Sequence, residues 1–230
     1  MAVKFTVVHG LLRSLGVAGQ ALAGRPPRRR SRDRTLLERH ILPAYARRAD
    51  IRRVLFVGCA RYTRHYEGLF DNVEYWTLDA AARKRRWGAT RHIHDRLERL
   101  DRHVAPGHFD LIVCNGVLGW GLNRRDDAEA AFAACHIALR PGGELVVGWN
   151  DVAPHDAVRP ESLVALRRFE RCSVPGLGGP VVRIDVPHRH VFEFYRKRAA
   201  ESGQGDSVVG ASGSCARADI GRHSPATRSS

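Results

Sequence analysis

Apolar and polar positions recur along the middle of the chain in one order. A short apolar run comes first, then a glycine or an acid, then a mixed stretch with helical spacing. Val54-Leu55-Phe56-Val57 is the first such run, as expected of a strand buried on both faces. Gly58 begins a turn after it, and Thr63 to Leu69 is predicted to form a helix. Val73 to Leu78 reads as a second strand closed by Asp79, and Ala80 to Trp87 as a helix. His92-Ile93-His94-Asp95 gives a short third strand and its end, and Arg96 to Val104 a helix. Phe109 to Cys114 is a fourth strand. Asn123 is placed to cap the next helix, with Asp126 as its capping-box partner. Phe132, Cys135 and Leu139 line one face of that helix.

Leu139 to Trp149, LRPGGELVVGW, is the most informative stretch. Pro141 is expected to stop the helix, Gly142-Gly143 to turn the chain, and Glu144 to Gly148 to form a fifth strand. Pro160 suits another helix start, with Leu163, Leu166 and Phe169 following on one face. Val181 to Val186 and His190 to Lys197 read as two last strands. Only Pro187-His188-Arg189 separates them, too short for a parallel crossover, so they are expected to pair antiparallel. The fold class is therefore α/β. It is a three-layer, doubly wound, mostly parallel seven-stranded sheet ending in an antiparallel hairpin. Ligands in such sheets sit at the carboxyl ends of the strands.

The 230 residues suit one ordinary domain with flanking segments. Residues 1–50 read as a basic N-terminal extension with short helices. Within it, 25–34 is a linker, and 35–49 a short helix broken by Pro43. Residues 51–198 form the folded domain, and 199–230 a disordered tail rich in Ser, Gly and Ala. His9, Arg13 and Gln20 interrupt the apolar part of residues 1–24, which argues against a signal peptide. A weakly amphipathic segment that packs on the domain or touches a membrane surface fits better. No run approaches the roughly 20 apolar residues of a membrane span. Five cysteines without a CxxC pair disfavour a disulfide framework or structural zinc and fit a reducing cytoplasm.

A net charge of +14 invites a nucleic-acid reading. Lysine occurs only at positions 4, 84 and 197, however, so the charge is nearly all arginine, and the basic run RPPRRRSRDR has no aromatics to stack bases. Nucleic acid is accordingly disfavoured as a partner.

Gly58 lets the Cys59 and Ala60 backbone approach a ligand, although a plain strand-to-helix turn explains it as well. Asp79 follows roughly 20 residues later at a strand end, where an acid accepts hydrogen bonds from ribose hydroxyls or caps a helix. The block from 51 to 197 resembles the class I S-adenosylmethionine-dependent methyltransferases. VLFVGCARY resembles their first motif, TLDAA the second, FDLIVCNGVLGW the fourth and LRPGGELVVGW the fifth. The closing hairpin fits too. The resemblance implies S-adenosyl-L-methionine as cofactor, with Gly58 and the Cys59 and Ala60 backbone at its methionine part. It implies Asp79 on the ribose, Asp95 facing the adenine amino group with His94 beside it, and Asn115 and Gly116 near the sulfonium. Phe56 replaces that family's first-motif acid, and Ala60 and Tyr62 stand at its second and third glycines.

A catalytic base is sought on loops over the strand ends, with Asp151 and His155 first and Tyr62 or Tyr66 after them. Trp120 and Trp149 either wall an acceptor pocket or pack in the core. His92/His94 and His188/His190 share strand faces by alternation, but no carboxylate stands at ligand spacing, so no metal is expected. The implied activity is methyl transfer to a small-molecule or sugar-like acceptor. The alternatives are a non-catalytic binding protein with this fold, motivated by the lost glycines, and a nucleic-acid methyltransferase or binder. Amino-methylating nucleic-acid members carry Asn/Asp-Pro-Pro-aromatic after the fourth strand, where Asn115-Gly116-Val117-Leu118 stands here.

Overall fold

A computed structural model describes residues 31–199. The amphipathic segment at 1–24, most of the linker and the tail from 200 lie outside the described residues.

The apolar runs form strands because alternate residues bury against two different layers. β1 (Arg53–Val57), β2 (Glu74–Leu78), β3 (Arg91–Ile93), β4 (Phe109–Asn115) and β5 (Leu139–Asn150) pair parallel. β6 (Phe169–Arg171), β7 (Val181–Arg183) and β8 (His190–Lys197) complete the sheet. β8 inserts antiparallel beside β5, giving the order β3-β2-β1-β4-β5-β8-β6, with β7 also on β8. β6 pairs with Tyr195 to Lys197 and β7 with Val191 to Glu193. The sheet is thus seven positions wide, with its outermost position shared by two short strands. The antiparallel β7–β8 hairpin matches the sequence pattern; β6 does not, because Phe169 was assigned to a helix face.

One core layer holds Leu55, Val57, Ile112, Cys114, Leu145 and Val147 against the helix Arg125–Ala138. The opposite layer takes the alternate residues Val54, Phe56, Leu111, Val113 and Val146. It is covered by a helix read in the sequence as broken. Arg32–Leu36, Leu37–Ile41 and Leu42–Ala46 form one continuous segment, α1, whose middle is wound as π-helix. The Leu42 N–H reaches back to the Leu37 carbonyl, and this wider turn lets the chain run on through Pro43. Helix also starts at Arg32, inside the stretch read as linker. Leu37, Ile41, Leu42 and Tyr45 are buried in the same core layer. The Tyr45 hydroxyl donates to the buried Glu144 carboxylate at 2.9 Å, and Arg48 and Arg196 reach the same carboxylate at 2.9 and 3.0 Å.

α2 (Arg125–Ala138) forms from an alanine-rich stretch with acids in its first turn and His136 in its last, matching the helix dipole. It starts after Arg124 in extended conformation, so the expected Asn123 cap is not made. The turn expected at Pro141-Gly142-Gly143 is instead a bulge within β5. Pairing steps from Phe109↔Leu139 to Leu111↔Glu144, with Gly142 at φ +75°. The helices expected at 63–69, 80–87 and 96–104 are short 3₁₀ turns, Arg61–Thr63, Glu67–Leu69, Ala82–Trp87 and Leu97–Arg102. Each stretch is too short to sustain an α-helix by itself and presents little apolar surface to pack. The helix expected from Pro160 is likewise two 3₁₀ turns, Pro160–Ser162 and Ala165–Arg168.

No helix among the described residues is long and apolar enough to cross a membrane. Four of the cysteines, 59, 114, 135 and 172, are buried free thiols.

Candidate active site

The carboxyl ends of β1, β2 and β4 open onto a cavity of about 400 Å³ lined by Gly58, Asp79, Lys84, Glu98, Gly116 and Trp120, among others. Gly58 turns the chain out of β1 at φ +91°, and a Cβ there would stand 3.1 Å from Val117 Cγ2. Both facts require glycine. The next N–H, that of Cys59, donates to Asp79 Oδ2 at 2.7 Å. Asp79 Oδ1 accepts the Ala81 N–H at 2.9 Å, and Lys84 Nζ lies 3.2 Å from Oδ2. Asp79 therefore caps the turn after β2, ties it to the turn after β1, and still faces the cavity. Oδ2 already accepts two hydrogen bonds, while Oδ1 keeps a second lone pair for a hydroxyl.

Burial, with the Asp79 charge adding to it, pushes the Cys59 thiol up to about 11, so it is inert as a nucleophile at neutral pH. Ala60 lies in extended backbone at φ −149°, and its N–H donates to Thr63 Oγ1 at 3.0 Å. A glycine is not needed at that position. Phe56 is buried against Tyr66, with ring centroids 5.2 Å apart. Tyr66 itself donates to Glu38 at 3.0 Å inside the core, away from both cavities.

On the far side of the first cavity, two expected residues are not brought in. His94 is exposed, and Asp95 accepts the Arg96 N–H at 2.7 Å and pairs with His103 at 2.8 Å. The His103 contact is the leading reason that the Asp95 carboxyl is held below its usual range. Neither lines the cavity. Arg96, Leu97 and Glu98 do, because the chain after β3 runs on extended before its 3₁₀ turn. Glu98 is the acid that lines this end of the cavity.

A second cavity, about 580 Å³, lies over the ends of β4 and β5 and shares Gly116 and Trp120 with the first. Asn115, Asn150, His155, His188 and His190 line it, with Asp33 from α1 and Tyr62. His190 is 4% exposed. Its Nδ1 lies 2.7 Å from Asn150 Oδ1 and its Nε2 3.1 Å from Asn115 Oδ1. Burial, above all, pushes its imidazole down to about 4, so the ring is neutral at physiological pH. His155 Nδ1 donates to the Gly119 carbonyl at 2.7 Å, which leaves its Nε2 with a lone pair. Its ring stacks on Trp120 at 3.9 Å and 14°. Trp120, 60% exposed, stands as a wall between the cavities.

Asp151, the other expected base, lines neither cavity. Asn150 at the end of β5 faces the second cavity, and the following residue turns the other way. Asp151 is buried among Arg159, Arg183 and Arg189 at 3.0, 3.4 and 3.4 Å, its single charge shared by three guanidiniums. Trp149 is core, its indole N–H donating to Glu193 at 3.1 Å. The residues sequence reasoning missed are Glu98, Asn150 and Asp33. The last supplies the carboxylate that the spacing around His188 and His190 lacked.

The family model for the methyltransferase domain matches residues 55–147, the segment from β1 through most of β5. Over this stretch the chain is similar to methyltransferase domains. Solved methyltransferases share the fold. N-methyltransferase NodS from Bradyrhizobium japonicum WM9, in complex with S-adenosyl-L-homocysteine, is 17% identical with a TM-score of 0.56, covering 79% of this chain and 97% of that one. A S-adenosylmethionine-dependent methyltransferase from Methanosarcina mazei is 12% identical with a TM-score of 0.54, covering 70% and 98%. The Burkholderia thailandensis 1,6-didemethyltoxoflavin-N1-methyltransferase, with 1,6-didemethyltoxoflavin and S-adenosylhomocysteine bound, is 20% identical with a TM-score of 0.50, covering 86% and 93%. No curated protein sequence matches the chain.

Proposed function

We propose that this protein binds S-adenosyl-L-methionine in the first cavity and passes its methyl group to a small molecule, sugar-like in size, held in the second. The observation that carries the reading is the meeting of the two cavities at Gly116 and Trp120, with Gly58 and Asp79 lining only the first. Asp79 takes a ribose hydroxyl with the free lone pair of Oδ1. The Gly58, Cys59 and Ala60 backbone lies along the methionine part, and Gly116 lies by the sulfonium. The adenine end reaches Glu98, in place of Asp95 and His94. Asn115 and the imidazoles of the second cavity hold the acceptor.

The cofactor supplies an activated methyl group, so the protein has chiefly to align the acceptor and take up its proton. His155 Nε2 is the proton acceptor, since Nδ1–H already donates to Gly119. Asp151, clamped by arginines, has no part in that step. Ala60 lies in extended backbone that any residue adopts, so the loss of the second glycine does not by itself favour the non-catalytic alternative. Buried free thiols fit work in a reducing compartment such as the cytoplasm. The test is to offer methyl-labelled cofactor with a small-molecule fraction and, separately, with RNA and DNA. Label in the small-molecule fraction supports the reading, and label in nucleic acid alone would overturn it. A His155→Ala variant should keep cofactor affinity and lose roughly 10²–10⁴-fold in transfer.

A further inference from the structure

Asp33, His188 and His190 come from three places: the first turn of α1, the turn before β8 and the first residue of β8. Each offers one ligand atom, and the three atoms lie within 4.8 Å of one another. His188 Nε2 is 3.3 Å from Asp33 Oδ1. That is the spacing of two ligands on one tetrahedral ion, about 3.3 Å for bonds of ~2.0 Å. Asp33 Oδ1 is sealed from solvent, and His188 Nε2 beside it forms no well-aligned hydrogen bond. A buried carboxylate oxygen so loosely satisfied is costly to leave in that state. His190 is built like a metal-ligating histidine. Its Nδ1 lies 2.7 Å from Asn150 Oδ1, and with the proton on Nδ1 its Nε2 lone pair is available on the other side. All three residues line the second cavity, where a further position would be open to a small molecule.

We propose that Asp33, His188 and His190 form a site for a divalent transition-metal ion, zinc by the chemistry of two imidazoles and one carboxylate, on the wall of the acceptor cavity. Its use there, drawing an acceptor oxygen to the open coordination position, rests on the methyl-transfer reading; the binding of the ion does not. Asn115 Oδ1, 3.1 Å from His190 Nε2, is the group that must yield or turn its amide toward the bound ion. The site depends on α1: the second and third ligands are close in sequence, but the carboxylate arrives only when α1 packs on the sheet.

The experiment uses the full chain, stripped with a chelator and titrated with Co²⁺ followed by visible absorption, and with Zn²⁺ by equilibrium dialysis. Wild type should bind one equivalent with the d–d bands of a low-coordinate N/O site. His188→Ala and Asp33→Asn should each weaken binding at least tenfold, with far-UV circular dichroism unchanged. Cofactor affinity, measured by calorimetry in the same variants, should stay within about threefold of wild type. No binding by wild type overturns the proposal, as does binding that both variants leave intact. Wild type that binds Co²⁺ but not S-adenosylmethionine would keep the metal site and discard the methyl-transfer reading.

Discussion

Gly148, on β5, packs tightly under Asn115 and His190, which line the second cavity. A Cβ at this residue would lie 1.9 Å from Asn115 Oδ1, 2.9 Å from Asn115 Cγ and 3.0 Å from His190 Nε2. The residue is not among the glycines with positive φ, so alanine suits the backbone and the whole cost falls on those two side chains. Asn115 must swing out by more than an ångström, giving up its contact with His190. Overpacking of this kind costs about 1–3 kcal/mol. Gly148→Ala should therefore destabilise by about 1–3 kcal/mol, or lower Tm by roughly 2–12 °C for a domain of this size. Urea melts of Gly148→Ala, Asn115→Ala and the double variant form a cycle. In the double variant the clash with Asn115 is gone, so it should be about as stable as Asn115→Ala alone. A single variant as stable as wild type, or two additive effects, would refute the packing of Asn115 over Gly148. Cofactor affinity should survive, because Gly148 does not line the first cavity.

Trp120→Ala should cost under about 0.5 kcal/mol in stability, since the side chain is 60% exposed, yet acceptor affinity should fall at least tenfold. The same indole should change its fluorescence when cofactor is titrated into wild type but not into the variant. Acid should unfold the protein early. His92, His108, His136 and His190 are all held below the ordinary imidazole value, first by burial. The unfolded chain binds protons near pH 6.5 that the fold refuses until lower pH, down to about 4 for His136, so stability present above pH 6.5 should drain away between 6.5 and 4. Urea midpoints at pH 7, 5.5 and 4.5 check this, and His136→Gln should flatten the slope; a flat wild-type profile would contradict it.

The sequence made the centre of the sheet legible because burial on both faces leaves unbroken apolar runs at β1, β4 and β5. Alternation likewise exposed β8, and the short connection before it forced an antiparallel pairing. The covering segments were not legible. At 63–69, 80–87 and 96–104 the residues between strands are few, so tertiary context settles them as 3₁₀ turns. Pro43 looked like a helix stop, and only the π-wound turn before it lets the helix continue. In the site, Gly58 and Asp79 were readable because each has a local reason to be that residue. Asp95 was misplaced for the opposite reason: its capping contacts satisfy it outside the cavity. Asp33 had no local signal at all, lying in a basic run whose sequence suggests only solvated charge. Its role depends on where α1 docks, which no spacing near His188 can reveal.

Calorimetric titration of the purified protein with S-adenosyl-L-methionine, beside an Asp79→Ala variant checked for folding by circular dichroism, tests the cofactor cavity most directly. Micromolar affinity in wild type and at least tenfold weaker binding in the folded variant is the expected result. No heat of binding in wild type at millimolar cofactor, or equal affinity in both proteins, would contradict it.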